Sequence, residues 1–206
     1  MLYEYLLERY EAFEPIFAAD IDIGMAGNSM RPKIKELCDS GKLCRYDAGI
    51  YYLPGETNIK GLSPISASKV AKCKYVSRLG KVIGYYSGYT FANQVGLSLQ
   101  VPYVQEIVTN ETSAKVREVD INGQVFIIRK PKAMVNEDNY AVLQFLDLLS
   151  DVDRYMDGTA DEPLNKLTQI IQKEKISKQK IDAYIDLYPT KVYKNLYRTG
   201  VVYAIT

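Results

Sequence analysis

The 206-residue chain contains no histidine. That removes the side chain whose ordinary pKa lies nearest neutrality and the commonest transition-metal ligand. Ser-His-Asp and Cys-His nucleophilic mechanisms and histidine-ligated metal centres are therefore excluded. Tryptophan is also absent, and the three cysteines, Cys38, Cys44 and Cys73, are an odd number without zinc-ribbon spacing; they read as reduced, partly buried thiols. No apolar run approaches the ~20 residues of a membrane span. The opening MLYEYLLERYEAFEP carries acids where a secretory leader needs a basic and then an apolar segment, so a cytosolic protein without membrane contact is expected. A further absence is local. From Thr57 to Gln105 there is no Asp or Glu, while Lys60, Lys69, Lys72, Lys74, Arg78 and Lys81 all lie there.

What is present suffices for one large domain or two small ones: 47% of residues are apolar, and the formal net charge is +1. No overall field draws the chain to nucleic acid, so any such surface must come from local clustering. Leu2, Tyr3, Leu6, Leu7 and Tyr10 recur at helical spacing and predict a helix over 2–13. Pro15 to Ile21 reads as a second, short helix, and Gly24 and Gly27 mark a turn. Asn28 or Ser29 can cap a third helix, placing Pro32 within its first turn. Leu43 and Ile50 to Tyr52 supply two strands, and Pro54-Gly55 closes the unit.

Residues 55–63 are turn-rich and read as a boundary, dividing the chain into a domain over 1–55 and a second over 63–206. In the second, a helix is expected over Ser66–Arg78, a strand over Val82–Tyr86 and a short helix over Gly88–Gly96. Strands follow over Glu106–Thr109, Ala114–Ile121 and Gln124–Arg129. Asn122-Gly123 joins the last two as a hairpin turn that needs positive φ at both central residues. Beyond Pro131 the character turns helical: Asp138–Leu149, Leu164–Lys175, Lys178–Tyr188 and Thr190–Arg198, then an apolar tail Val201–Ile205 that adds a strand or a clamp. The expected fold class is α+β: an N-terminal winged helix-turn-helix followed by a mixed α/β domain with C-terminal helices.

Ser29 to Pro54, SMRPKIKELCDSGKLCRYDAGIYYLP, carries the chemistry. A basic helix, a turn at Gly41 and two short strands meeting near Asp47-Ala48-Gly49 form the second half of a winged helix, in which the helix enters the major groove and the hairpin rests on the backbone. Arg31 is the base-reading candidate, since arginine makes two bonds to guanine O6 and N7, with Asn28 and Ser29 as helpers. Lys33, Lys35, Lys42 and Arg45 suit phosphates, and Tyr46 lies beside the hairpin. Glu36, Asp39 and Asp47 dilute the patch, so a homodimer or a second basic surface would raise affinity. Lys69, Lys72, Lys74 and Arg78 are the candidates for that second surface, against the alternative of a solvated helix face. Arg129-Lys130-Pro131-Lys132 is a third basic cluster.

Other constellations have plain structural readings. Tyr85 to Asn110 is rich in small and polar residues but contains no acid, histidine or cysteine before Glu106, so proton transfer has no agent there. Asn93, Gln94 and Gln100 read as caps and partners of buried backbone groups. Asp151 with Asp153, and Asp161 with Glu162, fall at helix ends, where the helix dipole accounts for acids at a helix start. Tyr184, Tyr188, Tyr193 and Tyr197 recur at helical spacing, as core or as a partner-binding face. No P-loop or dinucleotide fingerprint is present. No catalytic residue, metal site or cofactor is expected.

GKLCRYDAGIYYLP resembles the wing signature G-x-L-x-R-x-x-x-G-(V/I)-Y-Y-x-P of AbiEi-type antitoxins, the transcriptional regulators of bacterial type IV toxin–antitoxin systems. GYTFANQVGLSLQVP followed by TN is similar to the A-N-x-L-G-L-(T/S)-x-Q-V-P…T-N core of the same group, and INGQVFIIRKPK is similar to the segment that follows. The resemblance covers roughly Leu2 to Leu149. It implies a winged helix that binds double-stranded operator DNA of its own operon, with the recognition helix at Asn28 through Lys35 and the wing at Lys42 through Tyr52. It also implies a second domain that counters a nucleotidyltransferase-like toxin without a stable complex. Asp161 to Thr206 departs from the pattern. The expectation is thus a non-enzymatic regulator. The alternatives are a protein-interaction module whose winged helix does not bind DNA and, third, an enzyme acting on nucleotides or nucleic acid.

Overall fold

The computed structural model describes residues 1–24, 27–56, 65–155 and 161–205, with the side chains of Asn28, Asp161 and Glu162 outside the description. The chain is α+β and divides into two compact units, Met1–Val70 and Ala71–Thr206. Most of the turn-rich stretch expected as a boundary, 57–63, lies outside the described residues.

The first unit comprises α1 (Leu2–Arg9), β1 (Ile16–Phe17), a 3-10 turn (Ala18–Asp20), α2 (Gly27–Asp39), β2 (Cys44–Asp47) and β3 (Ile50–Tyr52). Its antiparallel sheet has the order β1-β3-β2. Three sequence expectations are corrected. Helix α1 stops at Arg9, because Tyr10 is extended and Phe13 takes φ 63°. Pro15 to Ile21 is not a helix: Ile16 and Phe17 pair with Tyr51 and Ile50, and only Ala18–Asp20 winds, as a single 3-10 turn. Both strand side chains are buried, so a bulky apolar pair gains more from the sheet than a one-turn helix would return. Pro32 lies beyond the first turn. It is the sixth residue of α2, where it lacks the N–H that would bond to the Asn28 carbonyl.

Helix α2 is anchored by Met30 and Ile34, four residues apart, which meet Leu2, Leu6, Ile16, Ile21, Leu43 and Leu53 in the core of this unit. After Asp39 the chain reverses through Gly41 at φ 72°, with the Lys42 and Leu43 N–H groups both donating to the Leu37 carbonyl. That turn delivers β2 antiparallel to β3. A register irregularity between Arg45 and Asp47, followed by Gly49 at φ 72°, forms the hairpin end.

The unit division falls within α3 (Ala67–Tyr75). The second unit continues with β4 (Ser77–Arg78), β5 (Lys81–Val82), β6 (Gly84–Ser87), α4 (Gly88–Gln94), β7 (Gln105–Thr109), β8 (Val116–Ile121) and β9 (Gln124–Arg129). The expected helix to Arg78 ends three residues early. Arg78 belongs to a tight β4–β5 ribbon that turns at Leu79 and Gly80, both at positive φ. The main sheet has the order β6-β7-β9-β8, with β7 and β9 parallel and the other pairs antiparallel. The β8–β9 turn is Asn122-Gly123 at φ 51° and 84°, as that dipeptide requires.

Helices α5 (Tyr140–Ser150), α6 (Val152–Tyr155), α7 (Asp161–Glu174), α8 (Lys178–Tyr184) and α9 (Lys191–Arg198) complete the unit, with 3-10 turns at Ile185–Leu187 and Val201–Ala204. The tail is the clamp and not the strand of the two alternatives: Val201 is fully buried. The core runs from Tyr85 and Val108 on the sheet through Leu143, Phe145, Leu146 and Leu149 of α5 to Leu167, Ile171, Val192 and Leu196. Among the described residues no helix is long and apolar enough to cross a membrane.

Candidate nucleic-acid interface

Turning Met30 and Ile34 inward fixes what α2 shows outside. Arg31 and Lys35 are one turn apart and share a face, and both are exposed. Arg45 opposes Tyr51 across β2 and β3, so their side chains leave the same face of the ribbon. These elements enclose an open groove of about 830 Å³ with cations Arg31, Lys35 and Arg45, apolar walls from Ile34 and Tyr51, and small residues Ala18, Ala48 and Gly49. One carboxylate, Asp39, shares it. The Arg45 Nε–H donates to the Asp47 carbonyl at 3.4 Å, which steers the guanidinium along the hairpin. The Asp47 carboxylate is occupied in turn, accepting the Ala48 N–H at 2.6 Å.

The remaining expected contacts divide. Ser29 is exposed near the start of α2, outside the groove lining, and the Asn28 side chain lies outside the described residues. Lys33, two positions from both Arg31 and Lys35, is half-buried and points away from their face. The Lys42 ammonium sits 5.2 Å from the Tyr3 ring centroid, which draws it onto α1. Tyr46 is half-buried and does not line the groove. Sequence reading missed the groove's small residues and Cys38. Gly49 at the hairpin end was the available signal, since a strand turn held by glycine leaves its rim open. Burial pushes the Cys38 thiol pKa up, with Cys44 and Asp39 adding to it and Arg45 opposing, so the thiol stays protonated and poorly nucleophilic.

The expected second basic surface is smaller than its sequence suggests. Lys69 and Lys72 are exposed on α3, but Lys74 is half-buried over the Tyr75 ring at 5.3 Å. Arg78 has left the helix and pairs with Glu111 at 3.1 Å. Of the third cluster, Arg129 pairs with Glu106 at 3.6 Å, leaving Lys130 and Lys132 exposed.

The polar Tyr85–Asn110 segment builds corners. The Thr90 hydroxyl accepts the Glu106 N–H at 2.9 Å, the Asn93 amide donates to the Ser98 carbonyl at 3.2 Å, and the Ser98 hydroxyl accepts the Gln100 N–H at 3.2 Å. Asn93 thus has the expected role, whereas the side chains of Gln94 and Gln100 are exposed. The carboxylate pairs are also accounted for: Asp151 meets Lys191 at 2.8 Å and Asp153 meets Arg198. Asp161 and Glu162 lie outside the described side chains. Among the described residues no group of three or more Cys, Asp or Glu could hold a metal ion.

One carboxylate that sequence reading passed over is Asp147, on the sheet-facing side of α5. Burial raises its pKa, against opposing contributions from the Tyr85 hydroxyl, Arg129 and Lys132. Comparison of the chain with known protein families, with curated proteins and with solved structures finds no match.

Proposed function

We propose that the chain is a DNA-binding transcriptional regulator whose first unit is a winged helix. The observation that carries this reading is the convergence of Arg31 and Lys35 from α2 with Arg45 from β2 on one open groove. The element order helix, strand, turn, helix, strand, strand, and the sheet order β1-β3-β2, support it, with the 3-10 turn Ala18–Asp20 in the place of the second helix. In this reading α2 enters the major groove. Arg31 addresses a base edge, and Lys35 and Arg45 hold phosphates. The role of an antitoxin acting against a nucleotidyltransferase-like toxin rests on the resemblance of the GKLCRYDAGIYYLP and ANQVGLSLQVP…TN segments.

Titration of the purified chain against duplex from upstream of its own gene tests the reading. The two cation–phosphate contacts, Lys35 and Arg45, correspond to a slope of roughly −2 in log K against log salt. A salt-independent affinity, or equal affinity for the upstream and scrambled duplexes, would sink it. A second reading, a winged helix that holds a protein, is favoured by Asp39 inside the groove and by Glu36 and Asp47 exposed nearby. Neutralising Asp39 separates the two: D39N strengthens DNA binding and weakens capture of a basic protein surface.

A further inference from the structure

The second unit carries a small pocket remote in sequence from the groove. Ile181 and Ile185 on one wall, Leu196 on another and Val202 with Ile205 from the tail form an apolar floor, and the volume is about 170 Å³. That is the size of a cavity that admits one benzene-sized group and is well below the ~300 Å³ at which pockets for drug-sized ligands begin. Its rim is tyrosine and charge. Tyr193 and Tyr197 line it, and Lys178 and Asp182 pair across one side.

The exposed surface around it is aromatic. Tyr193 and Tyr197 are 38% and 64% exposed. At roughly 150–250 Å² for each aromatic side chain, these exposures amount to roughly 150–250 Å², about a quarter of the ~800 Å² per partner that a standard stable interface buries. The patch is too small to hold a second copy of the chain and large enough for a short segment that anchors one side chain.

Charge selects the segment. Between Lys173 and Arg198 seven Lys and Arg stand against three acids, in a chain of net charge +1. Lys173, Lys178, Lys191 and Arg198 have carboxylate partners, and Asp186 accepts the Tyr193 hydroxyl. Among the described residues this leaves Lys175, Lys180 and Lys194 without a carboxylate, and Lys194 is three residues from Tyr197 on α9, on the neighbouring turn. We propose that the pocket between α8, α9 and the tail is a docking site for an acidic segment of a protein partner, which seats one aromatic or bulky aliphatic side chain on Ile181, Ile185 and Leu196. This site is independent of the DNA-binding reading.

The test uses the full chain with methyl-labelled isoleucine and three synthetic helical peptides: a glutamate-rich peptide with a single Phe, the same peptide with that Phe replaced by Ala, and a lysine-rich peptide that keeps the Phe. The glutamate-rich Phe peptide shifts the Ile181 and Ile185 methyl signals saturably below about 1 mM. Replacing its Phe by Ala weakens it at least about tenfold, as loss of a buried anchor does. Lys194→Glu and Tyr197→Ala, both at exposed positions, each weaken binding at least about threefold while the melting temperature stays within ~2 °C of wild type. The proposal is overturned if the lysine-rich peptide binds as well, if no peptide saturates, or if the same methyl signals move with protein concentration alone, which assigns the patch to self-association. Toluene shifting these methyls while the glutamate-rich peptide fails to displace it overturns it in favour of a free small molecule.

Discussion

The Tyr85 hydroxyl donates a 2.8 Å hydrogen bond to the Asp147 carboxyl, tying β6 to α5 through an acid of the helical core. Tyr188 lies against the same pair and donates its own hydroxyl proton to the Leu143 carbonyl at 3.0 Å. Burial raises the Asp147 pKa, so the folded chain holds this proton more tightly than the unfolded chain does. The resulting stabilisation is complete below the ordinary carboxyl value of ~3.9 and is lost as pH rises through the folded value. Asp147→Asn keeps an acceptor for Tyr85 and removes the titration. The melting temperature of the wild type, relative to D147N, should therefore fall as pH is raised from about 4 to 7. A constant difference across that range would show that Asp147 does not titrate there.

Glu137 runs the other way. Its carboxylate accepts its own N–H and that of Val82, the latter at 3.0 Å, and these bonds lower its pKa. Stability from this group is present above the ordinary carboxyl value and is lost as pH falls through the depressed one. Glu137→Gln should lower the melting temperature near neutrality and flatten the acid limb of the stability profile, the difference from wild type shrinking as pH falls through the depressed value.

On the groove, Arg31→Ala should weaken binding to the upstream duplex by about 1–3 kcal/mol and relax its sequence preference, while Lys35→Ala and Arg45→Ala weaken all duplexes alike and each lower the salt slope by about 1. Lys33→Ala and Lys42→Ala, outside the groove, should change affinity by less than about 0.5 kcal/mol. Equal losses from Lys33→Ala and Arg31→Ala in a competition assay would mean that a different face of α2 meets DNA.

Two glycines of the second unit should respond differently to a methyl group. At Gly84 a Cβ would lie 2.1 Å from the Tyr75 carbonyl oxygen and 2.4 Å from that of Val108, both backbone atoms fixed by neighbouring elements. At Gly88 it would lie 2.3 Å from the Glu106 carboxylate, a side chain able to swing aside, so the lasting cost is the φ of 59°, about 1–2 kcal/mol. Gly84→Ala should cost more than Gly88→Ala, at the upper end of the ~1–3 kcal/mol range for overfilled sites or beyond it. Urea titration of the two variants ranks them.

Asn110 clasps Val135 from both sides: its amide donates to the Val135 carbonyl and its oxygen accepts the Val135 N–H, each at 2.9 Å. Asn110→Ala leaves two backbone groups without these partners and should cost about 1–3 kcal/mol. Asn110→Asp retains the acceptor alone and should fall between the two in chemical denaturation.

Much of the second unit was legible in sequence because its signals are local. Asn122-Gly123 dictates its own turn, and the apolar run of α5 is long enough to declare its period. The misreadings lie where distant pairing decides. Ile16 and Phe17 are extended because Tyr51 and Ile50 lie beside them, and no neighbour in sequence signals that. By its neighbours Arg78 belongs to a helix, since no breaker stands between Tyr75 and Leu79, yet the Ile83 and Gly84 N–H groups both donate to the Val76 carbonyl and pull the chain into a ribbon. At the groove, residue types were legible and convergence was not. Lys33 and Lys35 look equivalent in sequence, but two positions on a helix separate them to different faces, and Tyr3 removes Lys42 from the set.

The order β6-β7-β9-β8 places the last strand to be synthesised next to β7, in the interior of the sheet. A nascent chain that has just extended past Thr109 has one flank of its second strand waiting for a partner some fifteen positions away, Gln124–Arg129. The sheet of this unit therefore cannot close until Gln124–Arg129 has been made. A fragment ending before Gln124 would expose an open ribbon liable to recruit other chains, whereas in the finished molecule the border on that side falls to β8, whose Arg117, Glu118 and Asp120 are exposed and discourage such recruitment.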